Sequence, residues 1–312
     1  MKSKESNITC CPICGRDRVN YSFVCKNKRD DLNTFGEYVR CSYCTHFYLE
    51  MDYSAELSNY IFDEHYKNVK GNDSKIGLRR SLGNVVRKII KRCDGSIIFD
   101  SYLDNIEKDS RVLEIGCGPG RIARQLIGKG VDYVGIDPSL NAIEVCKTIG
   151  GGQFKRGILS DFFFPENSFN YCIMDNVLEH ISNPFDIAKE VRRILKKGGK
   201  FIINVPSADS IGMRLFKNNS LNPWVPFHLS IFSSYSIKFM LKNAGLNSII
   251  IYFFTPVSYF FLTYRQIRLR KDEILSYDLN KRKDLLLMVF LAPIAFLLRQ
   301  FHMGEQMLVI AN

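Results

Sequence analysis

Short apolar runs alternate with stretches of helical periodicity over most of the chain. Val112 to Ile115, Tyr133 to Ile136 and Phe169 to Met174 are brief and bounded by turn residues, which predicts buried strands, and Gln153 to Arg156 fits a further one. Ile122 to Ile127 and Pro184 to Leu195 repeat apolar residues at helical spacing between them. A Lys-Lys-Gly-Gly turn at 196–199 leads into another buried strand that ends at Pro206. A helix over Tyr235 to Asn243, an Ala-Gly-Leu turn, a strand over Ser248 to Phe253 and a last strand over Met307 to Ala311 complete the pattern. Strands alternating with helices predict an α/β domain around a largely parallel sheet.

The first strand runs into Gly116, Gly118 and Gly120, and a helix follows. A turn without Cβ atoms lets backbone approach a ligand closely. The spacing is G-x-G-x-G, with Glu114 two positions before the first glycine, where a dinucleotide fingerprint reads G-x-G-x-x-G. Asp137 ends the second strand, placed to accept hydrogen bonds from ribose hydroxyls. A second role is open to it, as the cap of the next helix with Pro138 in the first turn.

These elements resemble class I S-adenosylmethionine-dependent methyltransferases. The likeness rests on the glycine loop at 111–121, Asp137, the stretch from Gly157 to Asn170, Leu178-Glu179-His180, and the Leu-Lys-Lys-Gly-Gly turn at 195–199. It covers about residues 75–250 and departs from the family at two places. Ile158 stands where an acid often follows the glycine, and Lys197 where proline is common. The resemblance implies a seven-stranded Rossmann-like sheet over 96–312, in which the final strand forms a hairpin with the strand before it. It implies cofactor contacts from Glu114, Gly116, Cys117, Gly118, Gly120, Asp137, Pro138, Ile158, Leu159 and Asn176. Adenine would then be gripped by Ile158 and Leu159, with backbone or Asp161 serving its amino group.

The first fifty residues carry a separate signal. Cys11 and Cys14, then Cys41 and Cys44, form two C-x-x-C knuckles, and few aliphatics lie between them. Four thiolates suit a closed, tetrahedral, structural zinc ion, which would replace a missing core. Cys10 sits beside Cys11, so either could be the ligand. The expected organisation is a zinc-ribbon head at 1–50, a linker with a helix at 51–95, and the α/β domain at 96–312.

Charge and composition add less. The formal net charge is +11, and much of it lies in Lys67 to Arg92. There Leu78, Leu82, Val85, Val86, Ile89 and Ile90 recur at helical spacing with arginines and lysines between them, a basic amphipathic helix. It either docks on the α/β domain or meets an anionic surface, phospholipid or RNA. The polar N-terminus lacks the apolar segment of a secretory signal, so a cytoplasmic protein with reduced cysteines is expected.

An insert at about 254–304 separates the last two strands. It is aromatic at first, basic at Arg265 to Lys271, and nearly continuously apolar from Leu285 to Leu298 apart from Pro293. As a helix that run reaches about 21 Å, short of a bilayer core of roughly 30 Å. It is either a buried helix closing a pocket, a subunit contact, or an interfacial helix that brings 265–300 to the inner face of a membrane.

In methyl transfer to a hydroxyl the protein must align the acceptor and accept a proton. His180, just beyond the fourth strand, and His228 are the candidate bases, with Glu179 and Tyr235 behind them. The expected reaction is O-methylation of a sugar or lipid-linked precursor of a surface glycan, a substrate class implied by the resemblance and by the apolar insert. Two rival readings stand beside it. One is an RNA methyltransferase that uses the ribbon and the basic helix to hold nucleic acid; the other is a cofactor-fold scaffold without catalysis.

Overall fold

The computed structural model describes residues 10–17, 19–26, 34–50, 88–268 and 282–312. Strands β1 (Val19–Lys26), β2 (Phe35–Cys41) and β3 (Phe47–Glu50) form an antiparallel meander at the front of the chain. A short helix at 88–94 and α1 (Ile97–Asp104) precede the large sheet. That sheet then builds up through β4 (Arg111–Ile115), α2 (Arg121–Ile127), β5 (Asp132–Asp137), α3 (Leu140–Lys147), β6 (Gln153–Arg156) and β7 (Phe169–Asp175). It continues through α4 (Pro184–Ile194), β8 (Leu195–Pro206) and α5 (Ile211–Phe216). After β9 (Ser230–Ile231) and α6 (Ser234–Asn243), β10 (Ile250–Phe254) leads into α7 (Val257–Arg268) and α8 (Arg282–Gln300), and β11 (Gln306–Ala311) closes the chain.

The large sheet has the order β10-β11-β8-β7-β4-β5-β6. Five strands from β8 to β6 are parallel, whereas β11 is antiparallel to both β8 and β10. This is the seven-stranded Rossmann-like sheet expected from the sequence, with the helical insert before its last strand. Parallel strands covered on both faces need apolar side chains on both. One core joins Leu113, Ile115, Phe169 and Met174 to α4 and α6; the other joins Val112, Tyr133 and Ile173 to α1 and α2.

The head is joined to this domain through its own sheet. β9 pairs with β3, matching Phe47 to Ile231 and Tyr48 to Ser230. Leu49 N–H donates to the Leu229 carbonyl at 2.9 Å, and the Thr45 and Ser233 hydroxyls lie 2.9 Å apart. His46 is fully buried, 3.1 Å from the Ser230 hydroxyl and against the Phe232 ring; burial pushes its pKa down to about 3. The β1–β3 meander therefore gains a fourth strand from residues 230–231.

Most of the basic amphipathic helix, with Leu78, Leu82, Val85 and Val86, lies outside the described residues. At its end Ile90 is buried while Ile89 is exposed. Ile90 packs with Val257, Met288, Ala292 and Ala295, so the narrow apolar stripe of α8 docks on the 88–94 helix and α7. Asp94 fastens the same junction, accepting from Val257 N–H at 3.1 Å. Contrary to the buried-helix reading, α8 is not enclosed: Phe290 is 78% exposed, and Val289, Ile294, Phe296 and Leu297 are exposed too.

Candidate active site

The glycine loop lies at the carboxyl edge of β4. Gly116, Gly118 and Gly120 all have positive φ. A Cβ on Gly116 would stand 2.4 Å from Val177 Cγ2, and one on Gly120 would stand 2.3 Å from Ile149 Cδ1. Both positions therefore require glycine for conformation and for space. Asp137, buried at the end of β5, accepts from Gly118 N–H at 2.8 Å and from Ser139 N–H at 2.9 Å. The cap of α3 is Ser139, whose hydroxyl accepts from Ala142 N–H, so Asp137 does not cap that helix with its own side chain. Its carboxylate instead ties the loop to the start of α3.

Glu114 lies under the loop, where the Tyr133 hydroxyl donates to it. Burial pushes its carboxyl well above the usual range, and the tyrosine works against that shift. Cys117 is buried, and Cys146 Sγ lies 3.0 Å from the Gly118 carbonyl. Pro138 takes a hydrogen bond at its carbonyl from Arg156. Ile158 is half exposed, with its N–H donating to Asp161 at 2.9 Å, whereas Leu159 is buried in the core. Of that pair Ile158 alone offers an accessible apolar face. Asn176, left-handed and exposed, donates to Asp175. Asp137, the glycine loop and the accessible Ile158 lie together at this edge of the sheet and could hold S-adenosylmethionine.

A charged rim beside the loop went unread in the sequence. Arg121 pairs with Asp175 at 2.8 Å and with Asp100 of α1 at 3.3 Å, and Asn204 donates to Asp175 at 2.8 Å. The signal that could have found it is positional: Arg121 directly follows the last glycine, and Asp175 ends β7.

His180 and His228 meet at this edge, their ring centroids 4.9 Å apart. A 3-10 turn at Leu178–His180 presents the first, and the 222–229 segment presents the second. His180 Nδ1–H donates to the Phe227 carbonyl at 2.7 Å, and His228 Nδ1–H donates to the Asn222 carbonyl at 2.5 Å. A carbonyl only accepts, so both rings carry the proton on Nδ1 and the lone pair on Nε2. Trp224 stacks on Phe227 and packs edge-on against His228. Tyr38 of the head donates its hydroxyl to the His228 carbonyl at 2.7 Å and accepts from Trp224 N–H. The head thereby holds the segment that carries the second histidine. Glu179 is buried beside them, and burial pushes its carboxyl well above the usual range. Tyr235 is not part of this group; it is exposed on α6, stacked on Phe239.

In the head, Cys11, Cys14, Cys41 and Cys44 bring their sulfurs within 4.8 Å of one another. Cys11 and Cys44 are 3.5 Å apart, as are Cys14 and Cys41. The Cys11 thiol is drawn down to about 6 by its hydrogen bond with Cys44, against the effect of burial. Cys10 is exposed and outside the cluster, which decides between the neighbours in favour of Cys11. A closed, buried set of four thiols fits a structural zinc ion.

Residues 87–250 match the family model for a methyltransferase domain. The chain belongs to the methyltransferase-domain family. A protein of Methanocaldococcus jannaschii is 27% identical over 165 residues, 50% of this chain and 75% of its own length. A methyltransferase of a Mycobacterium species is 29% identical over 94 residues, only 30% of this chain and 37% of that one. Among solved structures, the complex between the Haloferax volcanii Trm112 methyltransferase activator and a methyltransferase contains a chain with TM-score 0.50 at 16% identity. The match covers 76% of this chain and 98% of that one. The domain thus has a methyltransferase fold, preceded by a cysteine cluster suited to zinc. No helix among its described residues is long and apolar enough to cross a membrane.

Proposed function

We propose that this methyltransferase acts on a hydroxyl of a sugar or of a lipid-linked glycan precursor. The observation that carries the reading is the His180–His228 pair: two imidazoles at the carboxyl edge of the sheet, each with Nδ1–H anchored on a backbone carbonyl, which puts the lone pair of the neutral ring on Nε2. S-adenosylmethionine, when bound, supplies a methyl group activated on sulfonium sulfur. Asp137 and the glycine loop hold the cofactor, and Trp224 and Phe227 limit water around the pair. With the cofactor bound, the methyl group would be offered to the acceptor oxygen, and Nε2 of His180 or His228 would take the hydroxyl proton.

A cavity of about 530 Å³ lies between the head and the α/β domain; neither histidine lines it, so it bears on acceptor binding and not on the transfer step. Tyr21, Phe23 and Phe47 line it together with Arg40, Arg214 and Lys217. Aromatic faces suit a sugar ring, and clustered cations suit a phosphate. The exposed apolar face of α8 supports a peripheral contact with the inner face of a membrane, which would present a lipid-linked acceptor.

Transfer of labelled methyl from S-adenosylmethionine into fractionated cell extract tests the reading. The expected label is resistant to nuclease and enters the glycan or lipid fraction. Nuclease-sensitive label would replace this reading with the RNA enzyme. Calorimetric titration beside Asp137→Ala separates the scaffold: the parent protein is expected to bind the cofactor and the variant to bind it at least tenfold more weakly.

A further inference from the structure

Glu179 presents a problem that the proton-transfer reading does not solve. Both of its carboxylate oxygens are buried and lack a hydrogen-bond partner among the described residues. A buried, unpartnered carboxylate is costly, and nearly all buried polar groups are satisfied. Protonation removes the charge, but the new O–H has no acceptor within hydrogen-bond distance among the described residues. The side chain lies beside His180 and His228, and each of the three brings one ligand-type atom within 4.8 Å of the other two.

The histidines are supported as metal ligands usually are. A ligating imidazole donates its other ring N–H to a carbonyl or carboxylate, which fixes the tautomer and aims the lone pair. Here Nδ1–H of His180 is held by the Phe227 carbonyl, and Nδ1–H of His228 by that of Asn222. Asn222 is itself pinned, donating to the Ser207 carbonyl at 2.8 Å and to Glu305 at 3.2 Å. Tetrahedral ligands at about 2.1 Å from an ion lie roughly 3.4 Å apart, a contraction that small side-chain rotations supply.

We propose that Glu179, His180 and His228 form a second metal site, separate from the four cysteines, that binds one divalent first-row ion of the zinc or cobalt class. Two imidazoles and one carboxylate favour such an ion over magnesium or calcium, which prefer all-oxygen sets. Three protein ligands leave a coordination position open, the pattern of catalytic sites. For the reaction, the inference rests on the hydroxyl-methylation reading: the ion would bind the acceptor hydroxyl and ease loss of its proton to solvent, a role otherwise left to an imidazole.

Metal binding rather than turnover provides the test. The purified full chain is loaded with cobalt(II), and its metal content and visible spectrum are recorded. The parent protein is expected to hold about two ions per chain, one with sulfur-to-metal charge transfer and one with the weaker bands of a nitrogen–oxygen site. Glu179→Gln and His228→Gln are expected to keep the sulfur signature and fall to about one ion. The retained thiolate signal also reports that the variants are folded. A ratio of one in the parent, or of two in both variants, would overturn the proposal. Absence of hydroxyl methylation would leave these ratios untouched, so the two readings fail separately.

Discussion

The four cysteines of the head and the Glu179–His180–His228 group are built on different principles. The cysteines sit in two short knuckles, each closed by local backbone hydrogen bonds such as Gly15 N–H to the Cys11 carbonyl and Thr45 N–H to the Cys41 carbonyl. The second group is assembled from two loops nearly fifty residues apart, and the second loop is held by the head through Tyr38 and β9. The first cluster organises a segment with little core of its own; the second is organised by its surroundings. The difference implies that the head serves to fix the loop that carries His228.

That comparison breaks most visibly at the cysteines. Stripping the metal with a chelator, or Cys44→Ser, is expected to unfold residues 10–50 and release the 222–232 segment, so that limited proteolysis cuts both. Structural zinc supplies on the order of 10 kcal/mol in small metal-held folds, far more than this head's core can replace. Intact resistance to protease in both segments would show that the head stands without metal.

The glycine loop offers a contrast within the α/β domain. Gly120→Ala places a Cβ against Ile149 at φ +80. The expected loss is about 2–4 kcal/mol in urea unfolding, from overpacking together with left-handed strain. A loss below about 1 kcal/mol would mean that the loop repacks.

Tyr38→Phe sharpens the link between head and histidine. It removes the bonds to the His228 carbonyl and to Trp224 N–H while keeping the ring. Turnover is expected to fall roughly tenfold, about 1–1.5 kcal/mol, with cofactor affinity unchanged. Equal loss of cofactor affinity would place the effect in the fold rather than in the histidine loop.

The gentlest probe is pH. His46 is buried neutral, with its pKa held near 3 by desolvation against an unfolded value of 6.5. Above pH 6.5 neither state binds the proton, so this residue contributes no slope. Below it the unfolded chain protonates and the folded chain does not, so stability falls with falling pH, by about 1.4 kcal/mol per unit, until the folded pKa is reached. His46→Gln is expected to flatten that part of the profile between pH 6.5 and 5, measured by denaturant titration against the parent. An unchanged slope would remove His46 as its source.

What the sequence disclosed followed from local constraint. The strands of the large sheet, the glycine loop and the cysteine knuckles are fixed by contiguous residues, so β4, β5 and β7 lie close to where their apolar runs place them. The hairpin of β10 and β11 was legible despite the insert, because both strands keep their apolar pattern. What remained hidden depends on distant pairing. Ser230 and Ile231 give no sign that they complete the head sheet, and the Arg121–Asp175 pair shows only in the positions of two residues at neighbouring strand ends. His180 and His228 were each readable as bases, but their convergence with the buried Glu179 exists only in three dimensions. The capping role left open for Asp137 falls to Ser139, two residues on, whose hydroxyl accepts from Ala142 N–H.

The most direct measurement is transfer of labelled methyl from S-adenosylmethionine to the glycan-lipid fraction by the parent, Glu179→Gln and His228→Gln proteins, with cofactor affinity measured in parallel. The parent is expected to form an O-methylated sugar, and both variants to transfer at least a hundredfold more slowly with cofactor binding preserved. Label found only in nucleic acid would contradict the hydroxyl-methylation reading, and transfer unaffected by both substitutions would remove Glu179 and His228 from the proton-transfer step.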